Sequence, residues 1–176
     1  MQQFDYVIVG AGSAGSALAN RLSESGQFTV LLLEAGGSDK KFWIQMPLGY
    51  GKVFHDPSVN WRYMTEAEPN LNNQSIYWPR GKVLGGSSSI NAMVWVRGHK
   101  RDYDEWGSVA PGWNWDAVQK IFQRMESWDG PTNVIRGTNG PQAVHDVSHD
   151  VHPLTRSYLK AATEVGIKTN LDYNGS

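Results

Sequence analysis

The sequence predicts an α/β chain. Three observations predict it: an apolar run "FDYVIVG" at residues 4–10, a glycine-rich turn opening a helix of small residues, and a second apolar run from Phe28 to Leu33. Strand, helix and strand in such close succession form a βαβ unit with parallel strands. Unbroken apolar strands belong to a parallel sheet covered on both faces. Between them "SAGSALANRLSES" reads as a helix in which Ala14, Ala17 and Ala19 permit close packing, and Gly26 ends it. The second run closes on Glu34 and a glycine pair.

The chain has 176 residues, 40% of them hydrophobic, and eight tryptophans, enough apolar material for a core. A formal net charge of -1, with both signs interspersed, argues against nucleic acid as a partner. There are no cysteines, so disulfides and cysteine-built zinc sites are excluded, and any metal would have to be held by His and carboxylates. The N-terminus "MQQFDYVIVGAG" has no basic n-region and only a short apolar run before glycine, unlike a signal peptide. No stretch approaches the roughly 18 consecutive apolar residues of a membrane-spanning helix. A cytoplasmic location is expected, with peripheral membrane association left open.

Residues 39–80 are irregular and rich in Trp, Tyr, Pro, Asn and Gly, a poor loop for a compact domain unless it covers something. "NWDAVQKIFQRMES" reads as a helix capped by Asn114, with Trp115, Val118, Ile121, Phe122 and Met125 on one face. "GPTNVIRGTNGPQA" reads as loop and turn. A last helix starts near Pro153, turns Leu154, Tyr158, Leu159, Ala162 and Val165 inward, and stops at Gly166. "IKTNLDYNGS" offers one short strand, so the second layer lacks strands to pack against and the chain is expected to be cut short. The division expected is residues 1–110 as a nucleotide-binding domain, with a lid segment at about 39–80. Residues 111–176 then begin an α+β substrate domain.

Gly10, Gly12 and Gly15 fit G-x-G-x-x-G after a strand and at the start of a helix, which makes the first domain Rossmann-like. The first glycine permits a tight turn, the second lets backbone approach a pyrophosphate, and the third lets helix and strand pack closely. The pyrophosphate then meets the positive end of the helix dipole. Glu34, at the end of the second strand, can accept from both ribose hydroxyls and repels a 2′-phosphate, disfavouring NADP. NAD and FAD both place an ADP moiety in such a site.

The stretch from Gly81 to Asp104, which includes Gly85-Gly86-Ser87-Ser88-Ser89-Ile90-Asn91, resembles the first signature of the glucose-methanol-choline (GMC) oxidoreductase family. "DYVIVGAGSAG", "LLLEAG", "NWRY" and "WPRGK" extend the resemblance from residue 4 to at least 130, closest to the bacterial alcohol and choline dehydrogenase branch. The resemblance implies FAD as cofactor and an enzyme acting on CH–OH donors, with a primary alcohol as substrate. Oxygen, a quinone or another carrier would accept the electrons. It implies cofactor contacts at Gly10, Gly12, Ser13, Ala14, Gly15, Glu34 and Ala35. Further contacts fall at Trp61, Arg80, Gly81, Val83, Gly86, Ser87, Asn91, Ala92 and Val94. Gly85 and Gly86 would let backbone N–H groups approach the cofactor, and a buried Asn91 would supply a neutral donor near flavin N5 or the C4 carbonyl. Some members carry a histidine just before this asparagine and bond FAD to it. Here that position is Ile90, so non-covalent FAD is expected.

In the family the base is a histidine, paired with a second His or an Asn, in the C-terminal part. Nothing in this chain matches that motif, so no catalytic residue is assigned, and the missing C-terminal part of the same enzyme is an implied partner. The chain alone is expected to be inactive. The five histidines carry other readings. His145, His149 and His152 could approach a metal only on a helix, which Pro153 and neighbouring turn residues oppose, so no metal is assigned. His99 reads as a surface turn, His55 as part of the lid, and Asp104 as a cap for "DEWG". Two alternatives remain: a non-catalytic FAD- or ADP-binding fragment, and an NAD-dependent dehydrogenase.

Overall fold

β1 (Tyr6–Val9) and β2 (Val30–Leu33) pair in parallel, Tyr6 opposite Val30 and Val9 opposite Leu33, in a computed structural model that describes residues 2–175. Helix α1 (Ser13–Ser23) connects them. Gly26, at φ +68°, turns the chain back after it. The strand starts are tied by Asp5, whose Oδ2 accepts from the Thr29 backbone N–H at 2.7 Å and from its hydroxyl at 2.8 Å. The βαβ unit is therefore as expected, but its burial is not. Only Ile8 among the β1 residues is buried, while Val7 and Val9 are 57% and 84% exposed. The sheet has two strands, and the cover expected on both faces does not come from the described residues.

The segment from Asp39 to Arg80 is built rather than loose. It holds two single-turn helices, α2 (Phe42–Gln45) and α3 (Tyr50–Val53). A short antiparallel pair follows, β3 (Tyr63–Met64) with β4 (Tyr77–Trp78). Val53 and Val59 from this segment pack with Val83 and Ile90 into a buried cluster, with Ile44 against it. Buried Asn60 joins the pieces: its amide donates to Phe54 O at 2.8 Å, and its Oδ1 accepts from the backbone of Arg62 and Arg80.

The first compact unit ends at Val94 and the second begins at Trp95, earlier than the 110/111 boundary expected. The reason is in the side chains: Trp95 and Arg97 are bonded to residues far downstream. In the second unit α4 (Lys100–Val109) and α5 (Trp115–Met125) precede β5 (Glu126–Trp128), which pairs in parallel with β6 (Gln142–Val144), and α6 (Pro153–Glu164) follows. His99 is no mere surface turn. It caps α4 in a reciprocal box with Asp102. Asp104 lies within α4 and accepts from the Trp115 N–H at 3.1 Å, so it caps α5 rather than its own segment. Asn114 stands at the N-cap of α5 without a side-chain bond. Gln142 and Ala143, expected as loop, form β6 with Val144, and no strand forms in 167–175. Helix α6 ends before Gly166 (φ +89°), but Leu154, Tyr158 and Val165 are each more than 70% exposed, not turned inward. No helix of the described residues is long and apolar enough to cross a membrane.

The second unit is organised on Glu126, whose side chain is fully buried. Its carboxylate takes the Arg97 guanidinium, Trp95 Nε1 at 3.0 Å and Gly137 N at 2.9 Å, with Arg136 Nε at 3.5 Å. Asn174 closes the arrangement, accepting from Arg97 N and donating to Trp95 O, each at 2.7 Å. Removing one partner of a buried ion pair strands the remaining charge. Glu126→Ala is expected to lower unfolding free energy by about 3–5 kcal/mol in a urea titration followed by tryptophan fluorescence. Glu164→Ala, which removes only an exposed pair with Lys160, should change it by less than about 0.5 kcal/mol.

Candidate dinucleotide-binding cleft

β1 runs directly into the glycine turn. Gly10, at φ +98°, reverses the chain where most side chains would be strained, and its N–H still reaches Leu33 O at 2.7 Å. Gly12 is the N-cap of α1 and offers no side chain to the first-turn N–H groups, which a helix leaves without intrahelical acceptors. Gly15 serves packing: a Cβ there would lie 1.9 Å from Gly10 O and 3.3 Å from the Ile8 side chain. Glu34, just beyond β2, is held by the turn itself, Oε2 accepting from Ala11 N and Oε1 from Gly36 N, both at 2.8 Å. A carboxylate has about four acceptor sites, so each oxygen can take one further donor.

The Gly81–Ser89 loop lies against this turn, backbone to backbone. Gly85 N donates to Ala11 O at 2.8 Å and Leu84 N to Gly37 O at 2.9 Å. A Cβ on Gly86 would stand 2.8 Å from Gly12 Cα, one on Gly36 2.1 Å from the Lys82 carbonyl, and one on Gly81 2.2 Å from that of Gly86. Gly85 and Gly86 have φ of +86° and +58°. The glycine pair was expected to admit a cofactor; Gly86 also makes room for Gly12, and Gly85 for the Ser89 hydroxyl, 2.1 Å from where its Cβ would stand. The serines fasten the loop to itself. Ser87 Oγ accepts from Gly81 N, while the hydroxyls of Ser88 and Ser89 donate to Gly85 O and Leu84 O.

Turn and loop enclose a cleft of about 640 Å³, in the range of small-molecule and cofactor sites. Gly10, Gly12, Glu34 and Ala35 line one part of it, and Trp61, Arg80, Gly81, Gly86 and Ser87 another. Ser13 and Ala14 are the first residues of α1 and do not line it. Val83 is a core residue: its side chain is fully buried with Val53, Val59 and Ile90 and does not face the cleft. Asn91 is exposed rather than buried. It lines a separate cavity of about 190 Å³ with Ser88, Ser89, Trp43, Tyr50 and Met93, and its Oδ1 accepts from Met93 N at 2.8 Å. Ala92 and Val94 are exposed and line neither space.

Sequence reasoning missed Val9, Leu33 and Tyr63. The first two end the strands that flank the fingerprint, and Tyr63 stands two residues after Trp61 in the quoted "NWRY". The histidines have local partners: His145 with Asp129, His152 with the N–H of Leu154, His55 stacked on Tyr77. The bonds from His145 and the Asp146 backbone hold the Asp129 carboxyl below its ordinary range. No group of three metal-ligating side chains gathers among the described residues.

The cleft fits the ADP part of a dinucleotide. A Cβ on Gly10 would meet nothing within 4 Å, and one on Gly12 only Gly86 Cα at 3.8 Å, so the missing side chains leave room where the helix N–H groups can reach a pyrophosphate. Free acceptor capacity on Glu34 suits ribose hydroxyls.

A family model described as GMC oxidoreductase matches residues 4–176. The chain belongs to the GMC oxidoreductase family. Oxygen-dependent choline dehydrogenases from Vibrio vulnificus and Rhizobium etli are 48% and 50% identical to it, over 99% of this chain and 31% and 32% of theirs. Pyridoxine 4-oxidase from Mesorbium loti superposes with a TM-score of 0.89 at 35% identity, covering 98% of this chain and 34% of that one. A formate oxidase gives 0.83 at 29% identity, covering 98% and 32%. This GMC chain thus spans about a third of the length of the curated relatives it matches. Within it, Gly86→Ala adds a Cβ against Gly12 at a left-handed φ and is expected to cost about 1–3 kcal/mol in thermal unfolding. Gly37→Ala, whose Cβ meets nothing within 4 Å, should stay within about 0.5 kcal/mol.

Proposed function

We propose that this chain holds FAD and forms the cofactor-binding part of an enzyme that oxidises a primary alcohol, choline-like, aliphatic or aromatic, to the aldehyde. One observation carries the reading: the fingerprint turn, Glu34 and the Gly81–Ser87 loop border a single cleft. The names of the relatives support it, since they describe choline dehydrogenases that use oxygen, and one solved relative from Chaetomium thermophilum is called an FAD-dependent oxidoreductase.

Flavin, when bound, would supply a two-electron acceptor for hydride from the alcohol carbon. The residues of this chain bind and orient. The start of α1 receives the pyrophosphate, and Glu34 accepts from the ribose hydroxyls while its charge repels a 2′-phosphate. Asn91 presents an amide on the exposed run that follows the serine loop. Ile90, an unreactive side chain buried in the apolar cluster, offers no covalent bond to a flavin at that position, which supports non-covalent FAD. The proton acceptor for the alcohol comes from polypeptide outside this chain.

The test is anaerobic titration of a complete enzyme carrying this chain with choline and with simple primary alcohols. A yellow protein whose flavin band bleaches on alcohol addition is expected; a colourless or alcohol-insensitive protein, or one that binds NAD in place of FAD, overturns the reading. Glu34→Gln should weaken FAD binding about tenfold or more, measured by flavin fluorescence on dilution, because a hydrogen bond to a charged acceptor contributes about 1.5–3 kcal/mol.

A further inference from the structure

Three pairs in the chain set a side-chain carbonyl carbon next to a glycine nitrogen: Asn139-Gly140, Asn174-Gly175 and Asp129-Gly130. Glycine has no Cβ to shield its nitrogen and turns freely, so that nitrogen can attack the side chain before it and close a cyclic imide. The sequence treats the three pairs much alike; the fold separates them.

Asn174 is locked. It is 8% exposed, its Oδ1 accepts from Arg97 N and its Nδ2 donates to Trp95 O, each at 2.7 Å, so the amide cannot turn toward Gly175 N without giving up both bonds. Asp129 is held as well. Its two oxygens take the His145 ring and the Asp146 N–H, which keep the carboxyl below its ordinary range and therefore ionised, and an ionised carboxylate is a poor electrophile. Asn139 lies exposed in a bend, and nothing among the described residues ties its amide. The restraint at that pair is a single link, from Gly140 N to Glu126 O at 2.9 Å, onto a strand of three residues.

We propose that Asn139 is a site of spontaneous deamidation, a modification whose co-reactant is water, and that its conversion loosens the Glu126 centre of the second unit. Gly140 N bonds to Asn139 Cγ while the side-chain nitrogen leaves as ammonia, carrying the proton that Gly140 N gives up. Water then opens the imide at either carbonyl, leaving an aspartyl or an isoaspartyl group at position 139. The isoaspartyl product routes the main chain through the former side chain and lengthens it by a methylene group. The turn has no slack for that. Trp128 N donates to Gly137 O at 2.8 Å, Gly137 N to Glu126 Oε1 and the Ser127 hydroxyl to Thr138 O, both at 2.9 Å. On the far side of Asn139, a Cβ on Gly140 would stand 2.3 Å from the Met125 carbonyl carbon. The added group therefore pulls residues 137–140 off β5 and takes a donor from the buried carboxylate. The proposal is independent of the cofactor reading.

The test is timed incubation of the chain in mildly alkaline buffer, with peptide mapping by mass spectrometry and isoaspartate-specific methylation to follow positions 129, 139 and 174. Conversion at Asn139 is expected to run about tenfold or more ahead of Asn174, which must first break two hydrogen bonds. In urea-unfolded chain the two asparagines should react at similar rates, which shows that the fold and not the dipeptide makes the difference. The urea midpoint of the folded chain, followed by tryptophan fluorescence, should fall as Asn139 is converted. Asn139→Ala, a change at an exposed side chain, should hold its midpoint through the same incubation. Equal rates at Asn139 and Asn174 in the folded chain, earlier reaction at Asn174 or Asp129, or no conversion of folded Asn139 while the unfolded chain reacts overturns the site. An unchanged midpoint after conversion of Asn139 overturns its effect on the Glu126 centre.

Discussion

The site depends on one contact, the backbone approach of Gly86 to Gly12. Gly86 can come this close because it has no Cβ, which would stand 2.8 Å from Gly12 Cα, and the hydrogen bond from Gly85 N to Ala11 O fixes the register of the approach. Without it the fingerprint would be an open turn at the end of a two-stranded sheet, with α1 presenting its N–H groups to solvent. With it, the turn acquires a wall. Gly36 against Lys82 and Gly81 against Gly86 repeat the same solution on either side, so the cleft is shaped by absent side chains more than by present ones.

The second unit solves the opposite problem. It has few buried apolar side chains, Val118 and Val144 among them, and its interior is instead a carboxylate with two guanidinium groups, an indole N–H and one backbone donor. Buried ion pairs are weak sources of net stability, yet breaking one strands a charge in the interior, so the cluster holds its members together. The donors to Glu126 come from residues 95, 97 and 137, and Asn174 ties the segment at 95–97 from the far end of the unit. That wiring explains why the unit begins at Trp95, a boundary that no change in composition marks.

What was legible in the sequence follows the same division. The βαβ unit could be read because period and glycine spacing are local properties, and the turn geometry at Gly10 and Gly26 is a property of single residues. Helices α5 and α6 could be read from their apolar spacing, although α6 keeps that face in solvent, since spacing says only that a partner is wanted. β5 and β6 could not be read. They are three residues each, one opening with a buried glutamate, and they exist because Glu126 is bonded to groups far away in sequence. At the cleft, the resemblance pointed to segments that border it, but it could not separate Val83, which is buried in the core, from Gly81 and Gly86, which line the wall. Tyr63 went unnoticed because only the kink at Arg62 aligns it with Trp61.

The segment from Gly81 to Asn91 therefore does two jobs in alternation along one short chain. Gly81, Gly86 and Ser87 border the cleft; Val83 and Ile90 are pinned in the cluster with Val53 and Val59; Asn91 belongs to the smaller cavity. The anchoring is also a hydrogen-bond matter, since Lys82 N donates to Val59 O and Gly86 N to Val83 O, each at 2.7 Å. The apolar cluster thus sets where the glycine wall stands, and the irregular segment at residues 39–80 contributes to the site through Val53 and Val59 as well as through the rings it displays. A buried valine with no view of the ligand is, by this route, as much a part of the cleft's geometry as the glycines that touch it.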